Sequence, residues 1–152
     1  MNTSLREKAL RYLQEHQVMT LATVGPQGLW AAAVFYVNKA FDLYFLSAPN
    51  SRHSLNIEVS PKVAATIQED YVDWRDIRGI QLEGEASQTT GAEQVAATLA
   101  YGLKFPVVGD LSRAPEEIVK AMKNIAWYKV TPHKLYLIDN SLGLGHRDEV
   151  LG

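Results

Sequence analysis

Ser47 closes an apolar run, and Ser51, Arg52 and His53 follow after a short break; this junction is the stretch of the chain best suited to chemistry. Phe41-Asp42-Leu43-Tyr44-Phe45-Leu46-Ser47 reads as a strand, and Ser51 is a residue type that caps helices. A helix start presents unpaired N–H groups and the positive end of the helix dipole, and Arg52 adds a permanent, forked cation beside them. The junction therefore suits a phosphate or another anion. The same residues also fit a plain surface helix with a capping serine and a solvated arginine, and taken alone they do not separate the two readings.

Other chemistries find little support. The chain has no cysteine, which removes disulfide, iron–sulfur, thiolate-zinc and cysteine-nucleophile chemistry and is compatible with a reducing cytoplasm. His16, His53, His133 and His146 show no H-E-x-x-H pattern and no ligand spacing with carboxylates, so no metal site is expected. Gly143-Leu144-Gly145-His146 holds two glycines of a dinucleotide fingerprint without the third, and is read as a C-terminal turn. Glu83 and Glu85 share a strand face but make no hydrolytic pair, and there is neither a Gly-x-Ser-x-Gly elbow nor a P-loop. A net charge of −2 argues against nucleic-acid binding, so any phosphate affinity is local. Met1 to Glu7 lack the pattern of a signal peptide, and no apolar stretch reaches membrane-spanning length.

The elements that must position the junction follow from periodicity. Ser4 and Glu7 form a capping box for a helix over about 4–16, carried by Leu5, Ala9, Tyr12 and Leu13. Val18–Val24, Leu29–Val37 and Phe41–Ser47 read as three meandering strands joined by turns at Gly25-Pro26-Gln27-Gly28 and Asn38-Lys39-Ala40. All three are apolar on both faces, so one face fills a core and the other needs a second cover. Val63–Gln68 and Arg78–Gln88 are further strands, separated by an acidic connection in which Trp74 is expected against the barrel rim. Helices follow from Gly91 to Leu103 and from Pro115 to Met122, then a closing strand with a bulge at Thr131-Pro132. With no repeat and no linker, residues 1–152 are read as one domain.

In order, these parts resemble the FMN-binding split-barrel family typified by pyridoxamine 5'-phosphate oxidase, over roughly residues 15 to 140. The resemblance rests on Ser47, on Ser51-Arg52-His53 as the helix start, on Asn56 and Pro61, and on Leu82-Glu83-Gly84. It implies a mainly β, antiparallel split β-barrel with flanking helices, homodimeric, with FMN as cofactor. Ala32, Ala33, Val34, Phe45 and Ser47 would form a shelf for the flavin ring, the small alanines allowing close approach. Ser47, Ser51, Arg52 and His53 would hold the ribityl chain and phosphate, Gln81 would reach the ring edge, and the partner's Trp127 or the partner's Tyr101 would cover it. The family's second-strand arginine and its Arg-x-His substrate motif are absent, and His53 stands where a lysine is usual. Vitamin B6 oxidation is thus not implied, and phosphate binding is expected to be weaker and pH-sensitive. The function implied is that of a small-molecule oxidoreductase; a flavin- or haem-binding protein without catalysis, or a relative using the deazaflavin F420, would use the same barrel.

Overall fold

The computed structural model describes residues 4–152; the expectation of no leader falls partly on Met1 to Thr3, outside the described residues. Helix α1, Leu5–Glu15, opens with the expected capping box: the Ser4 hydroxyl accepts from the Glu7 N–H at 3.1 Å and the Ser4 N–H donates to the Glu7 carboxylate at 3.3 Å. Strands β1, Val18–Gly25, and β2, Gly28–Phe35, form a hairpin in full register from Val18↔Phe35 to Gly25↔Gly28. The two-residue loop Pro26-Gln27 needs a left-handed residue to close it, and Gly28 supplies one at φ +101°.

The expected single strand from Leu29 to Val37 is in fact broken at Tyr36. Beyond the break lie β3, Val37–Lys39, and β4, Asp42–Ser47, with Phe41 in the turn between them and buried. Helix α2 is Arg52–Val59, β5 is Lys62–Gln68 and β6 is Arg78–Gln88. Then come α3, Gly91–Lys104, the short turns of α4, Pro106–Gly109, and α5, Glu116–Met122, before β7, Ala126–Asp139. A last strand, β8, Arg147–Leu151, pairs with β7 where only a turn was expected; the turn is there, with Gly143 and Gly145 at positive φ, and it is the loop of a hairpin.

All pairings are antiparallel and the sheet order is β2-β1-β5-β6-β7-β4-β3. It begins and ends on two halves of one strand, so the sheet curls into a barrel that is split where β2 and β4 part. Alternate residues turn inward to a core that includes Leu13, Met19, Leu21, Tyr36, Leu43 and Phe45. A smaller cluster of Tyr44, Ala97, Tyr101 and Trp127 lies outside the barrel, between the sheet and α3. Trp74 stands half exposed on a 3-10 turn, Trp74–Asp76, near the Arg75 guanidinium. None of the helices described is long and apolar enough to cross a membrane.

The bulge expected in the closing strand is present. The register passes from Glu83↔Lys134 to Gly84↔Pro132, which leaves His133 as the extra residue. Gly84 makes this possible, because a Cβ there would lie 2.1 Å from the Thr131 carbonyl oxygen, a backbone atom that cannot step aside. Gly84→Ala should therefore destabilise the protein by about 3 kcal/mol, read as a lower urea midpoint at unchanged m-value.

Candidate functional site

The split is the candidate site, because it leaves backbone unpaired. Continuing the β3–β4 register past Val37↔Tyr44 would set Phe35 and Val34 opposite Leu46 and Ser47. Instead the strands diverge at Tyr36. β2 pairs only with β1, and β4 beyond Tyr44 pairs only with β7, so two free strand edges face one cleft. Phe105, between α3 and α4, meets Phe35 edge-on at 5.3 Å and walls one side.

Helix α2 begins at the Ser47 end of this cleft. Ser51 caps it, accepting from the Ser54 N–H, and the first-turn N–H groups of Arg52 and His53 lack partners within the helix. Ser47 Oγ lies 2.6 Å from His53 Nε2, and Ser51 Oγ is 3.3 Å from both atoms. The three side chains thus form one polar cluster at the helix start. Burial disfavours the His53 imidazolium and lowers its pKa below the ordinary histidine value. At neutral pH His53 therefore offers a hydrogen bond rather than a full charge.

Arg52 turns toward the β1–β2 hairpin. Its Nη2 donates to the Gln27 and Leu29 carbonyls at 3.3 and 3.5 Å, and its guanidinium lies 4.3 Å above the Trp30 ring. Its Nε is buried with no hydrogen-bond partner, the sole such side-chain nitrogen or oxygen among the described residues. A buried guanidinium N–H without an acceptor is costly, and an anion oxygen would satisfy it. Deeper in the helix, Asn56 donates to Thr23 Oγ1 at 3.0 Å; both are buried, and this bond pins α2 to β1.

The structure gathers some expected site residues and disperses others. Ser47, Ser51 and His53 come together, Arg52 adjoins them, and Ala32, Ala33 and Val34 lie on the opposing strand. The three shelf residues do not share a face: Ala33 is exposed outside, whereas Ala32 and Val34 pair with Leu21 and Met19 and turn inward. Phe45, expected on the shelf, has no exposed surface; alternation sends it into the core, where it stacks on Tyr128 at 5.2 Å. Its ring lies 6.2 Å from that of His53 and supports the cluster from behind. Gln81 lies on the outer face in line with Thr66, Thr20 and Ala33, three strand spacings or about 14 Å from β2. A ring lying along β2 is beyond its reach within one chain. Tyr101 and Trp127 are buried edge-to-face at 5.2 Å against their own α3, which removes them as covers for a partner's ligand.

Sequence reasoning missed Trp30, the platform for Arg52, and the break at Tyr36. The alternation of β2 could have flagged Trp30, since it sets Trp30 on the face of Thr23, opposite α2. The Tyr36 break leaves no local mark, because Phe35-Tyr36-Val37 is good strand sequence.

An antiparallel barrel split beside a helix start places the chain in the split-barrel class. The chain matches the family model described as pyridoxamine 5'-phosphate oxidase over residues 5–139, and it belongs to that family. It is a member of the oxidase-like group and not the vitamin B6 oxidase proper. A UPF0306 protein of Photorhabdus laumondii is 30% identical over 139 residues, covering 90% of this chain and 89% of the relative. Among solved structures, a putative pyridoxamine 5'-phosphate oxidase of Listeria innocua aligns with TM-score 0.68 at 17% identity, over 89% of this chain and 98% of that one. HutZ, a haem storage protein of Vibrio cholerae, aligns with TM-score 0.71 at 20% identity, over 89% and 95%. At these identities the likeness is one of fold.

Proposed function

We propose that this chain is an FMN-binding flavoprotein that works as a homodimeric, cytoplasmic small-molecule oxidoreductase. The observation that carries the reading is the cleft with two free strand edges that ends on the α2 start, where the Arg52 Nε is buried without a partner. A phosphate monoester there would accept from Arg52 and from the first-turn N–H groups, with Ser47, Ser51 and His53 at its side. The unpaired backbone of β2 would meet the polar edge of the ring. Flavin supplies hydride and electron transfer when bound, and the chain's part is to place it and exclude water.

The dimer is argued from the outer face of the barrel. Leu29 is 81% exposed, Phe35 55% and Val18 41%, around the small residues Thr20, Ala22, Ala31 and Ala33. A smooth apolar sheet face of this kind needs a cover, and a two-fold axis supplies one.

Freshly purified protein should carry flavin bands in the blue and near ultraviolet; a Soret band in their place would move the reading to haem. Arg52→Ala should weaken FMN binding by about 2–3 kcal/mol while leaving riboflavin, which lacks the phosphate, nearly unaffected. Equal losses for the two ligands would place the phosphate elsewhere. In sedimentation at micromolar concentration the protein should run as a dimer, and Thr20→Arg, at the centre of the outer face, should shift it toward monomer. Anaerobic NADH or NADPH, or a small reductant, should bleach the bound flavin and air should restore it. A flavin that stays oxidised throughout would withdraw the oxidoreductase assignment and leave a carrier.

A further inference from the structure

The hydroxyl protons around His53 are few enough to follow one by one. Ser51 has a single proton, with the Ala48 carbonyl and the Ser54 hydroxyl both 2.8 Å from its oxygen. Toward His53, 3.3 Å away, Ser51 is therefore left as an acceptor. Ser47 lies closer to the imidazole, at 2.6 Å. When His53 Nε2 carries no proton, the Ser47 hydroxyl donates to it and is spent within the cluster. When Nε2 is protonated it donates to Ser47 Oγ, and the Ser47 proton is freed for another acceptor, Ser51 Oγ at 3.3 Å or an oxygen entering the cleft.

Charges around His53 set when that happens. From β4 it is faced by Ser47 and the Phe45 ring, and from its own helix by Ser51; its neighbour Arg52 is directed to the Gln27 and Leu29 carbonyls and to Trp30. Among the described residues none of the ion pairs includes His53, and burial alone depresses its basicity. A dianion docking beside it would be the first charge to favour the imidazolium. On the adjoining residue the Arg52 Nε, on the side of the β1–β2 hairpin, is likewise buried without an acceptor.

We propose that His53 and Ser47 couple phosphate recognition to proton uptake: a docking phosphate monoester draws a proton onto His53, which turns the Ser47 hydroxyl from the imidazole to the anion. The inference rests on the flavin-phosphate reading of the cleft and gives that site a selectivity that varies with pH. His53 and Ser47 then discriminate phosphorylated from unphosphorylated ligands most strongly below neutrality and less as pH rises. The sign follows from linkage: the free site holds the less basic histidine and the bound site the more basic one, so binding takes up protons between the two pKa values and weakens as pH rises through that window.

Calorimetric titration of the protein with FMN and with riboflavin tests this, in pairs of buffers of different ionisation enthalpy and at pH 7 to 8.5. A phosphate monoester is mostly dianionic there, its second pKa being about 6, so protons taken up belong to the protein. FMN binding should take up as much as about one proton near pH 7 and lose at most about tenfold in affinity per pH unit above it, while riboflavin stays flat. His53→Asn, which keeps an amide near Ser47 but does not titrate, should abolish the uptake and flatten the FMN profile. Imidazole 15N shifts of the unsubstituted protein, with His53 assigned through its contact with Phe45, read the same protonation without any variant. FMN binding with no proton uptake, or an unchanged pH profile in His53→Asn, overturns the proposal and leaves the flavin reading standing. Failure of both FMN and riboflavin to bind overturns the flavin reading and this proposal with it.

Discussion

Tyr36 is fixed at both of its polar ends. Its backbone N–H donates to the Gln17 carbonyl at 3.0 Å, its phenol donates to the Leu13 carbonyl at 2.7 Å, and the ring between them has no exposed surface. Gln17 and Leu13 lie at the α1–β1 junction, so Tyr36 takes a backbone bond there instead of continuing the ladder toward β4. Burial of the hydroxyl raises its pKa well above the ordinary phenol value, which keeps it a neutral donor across the physiological range. One residue thus ends the pairing of β2, begins that of β3 and ties both to α1. Had the ladder run on, the barrel would close and the cleft would not exist.

A split of this kind is costly to leave open. Free strand edges are unsatisfied backbone and invite pairing with other chains. Each end of the gap is accordingly guarded. Phe105 meets Phe35 near the Tyr36 end, and at the other end Arg52 holds the β1–β2 hairpin by two carbonyls and the face of Trp30. The arginine that a phosphate would engage is therefore also a strut between helix and hairpin. Loading the site would link the position of α2 to that of the hairpin, which gives ligand binding a route into stability.

Much of this was legible in the sequence, for local reasons. The Ser4–Glu7 capping box, the Ser51 cap, the Pro26-Gln27 turn and the irregularity at Pro132 are written in short-range chemistry, and each stands where the residues put it. The cluster of Ser47, Ser51 and His53 was legible too, because a strand end and a helix start only a few residues apart must be neighbours. What escaped was set by long-range partners. Tyr36 breaks a strand because of Gln17 and Leu13, not because of Phe35 or Val37. Phe45 and Gln81 were placed by likeness to a family pattern, whereas pleat and strand order decide where they point: Phe45 alternates inward and Gln81 lies across two intervening strands. β8 escaped because Arg147-Asp148-Glu149 is too charged to read as strand, and edge strands tolerate such charge.

Two half-buried bases show how the fold separates a structural tie from a responsive site. Lys104 ends α3 with its ammonium donating to the His16 carbonyl and lying 4.2 Å above the Tyr36 ring. Burial pulls its pKa down to about 8, so near pH 7 it remains mostly charged. That charge is answered by a carbonyl, an aromatic face and the helix C-terminus, all fixed parts of the chain. His53 meets the same kind of burial with only hydroxyls and an aromatic ring around it. Starting from a lower ordinary pKa, it gives up its charge instead. Lys104 therefore holds α3 against the break whether or not anything is bound, while the charge on His53 waits on what enters the cleft.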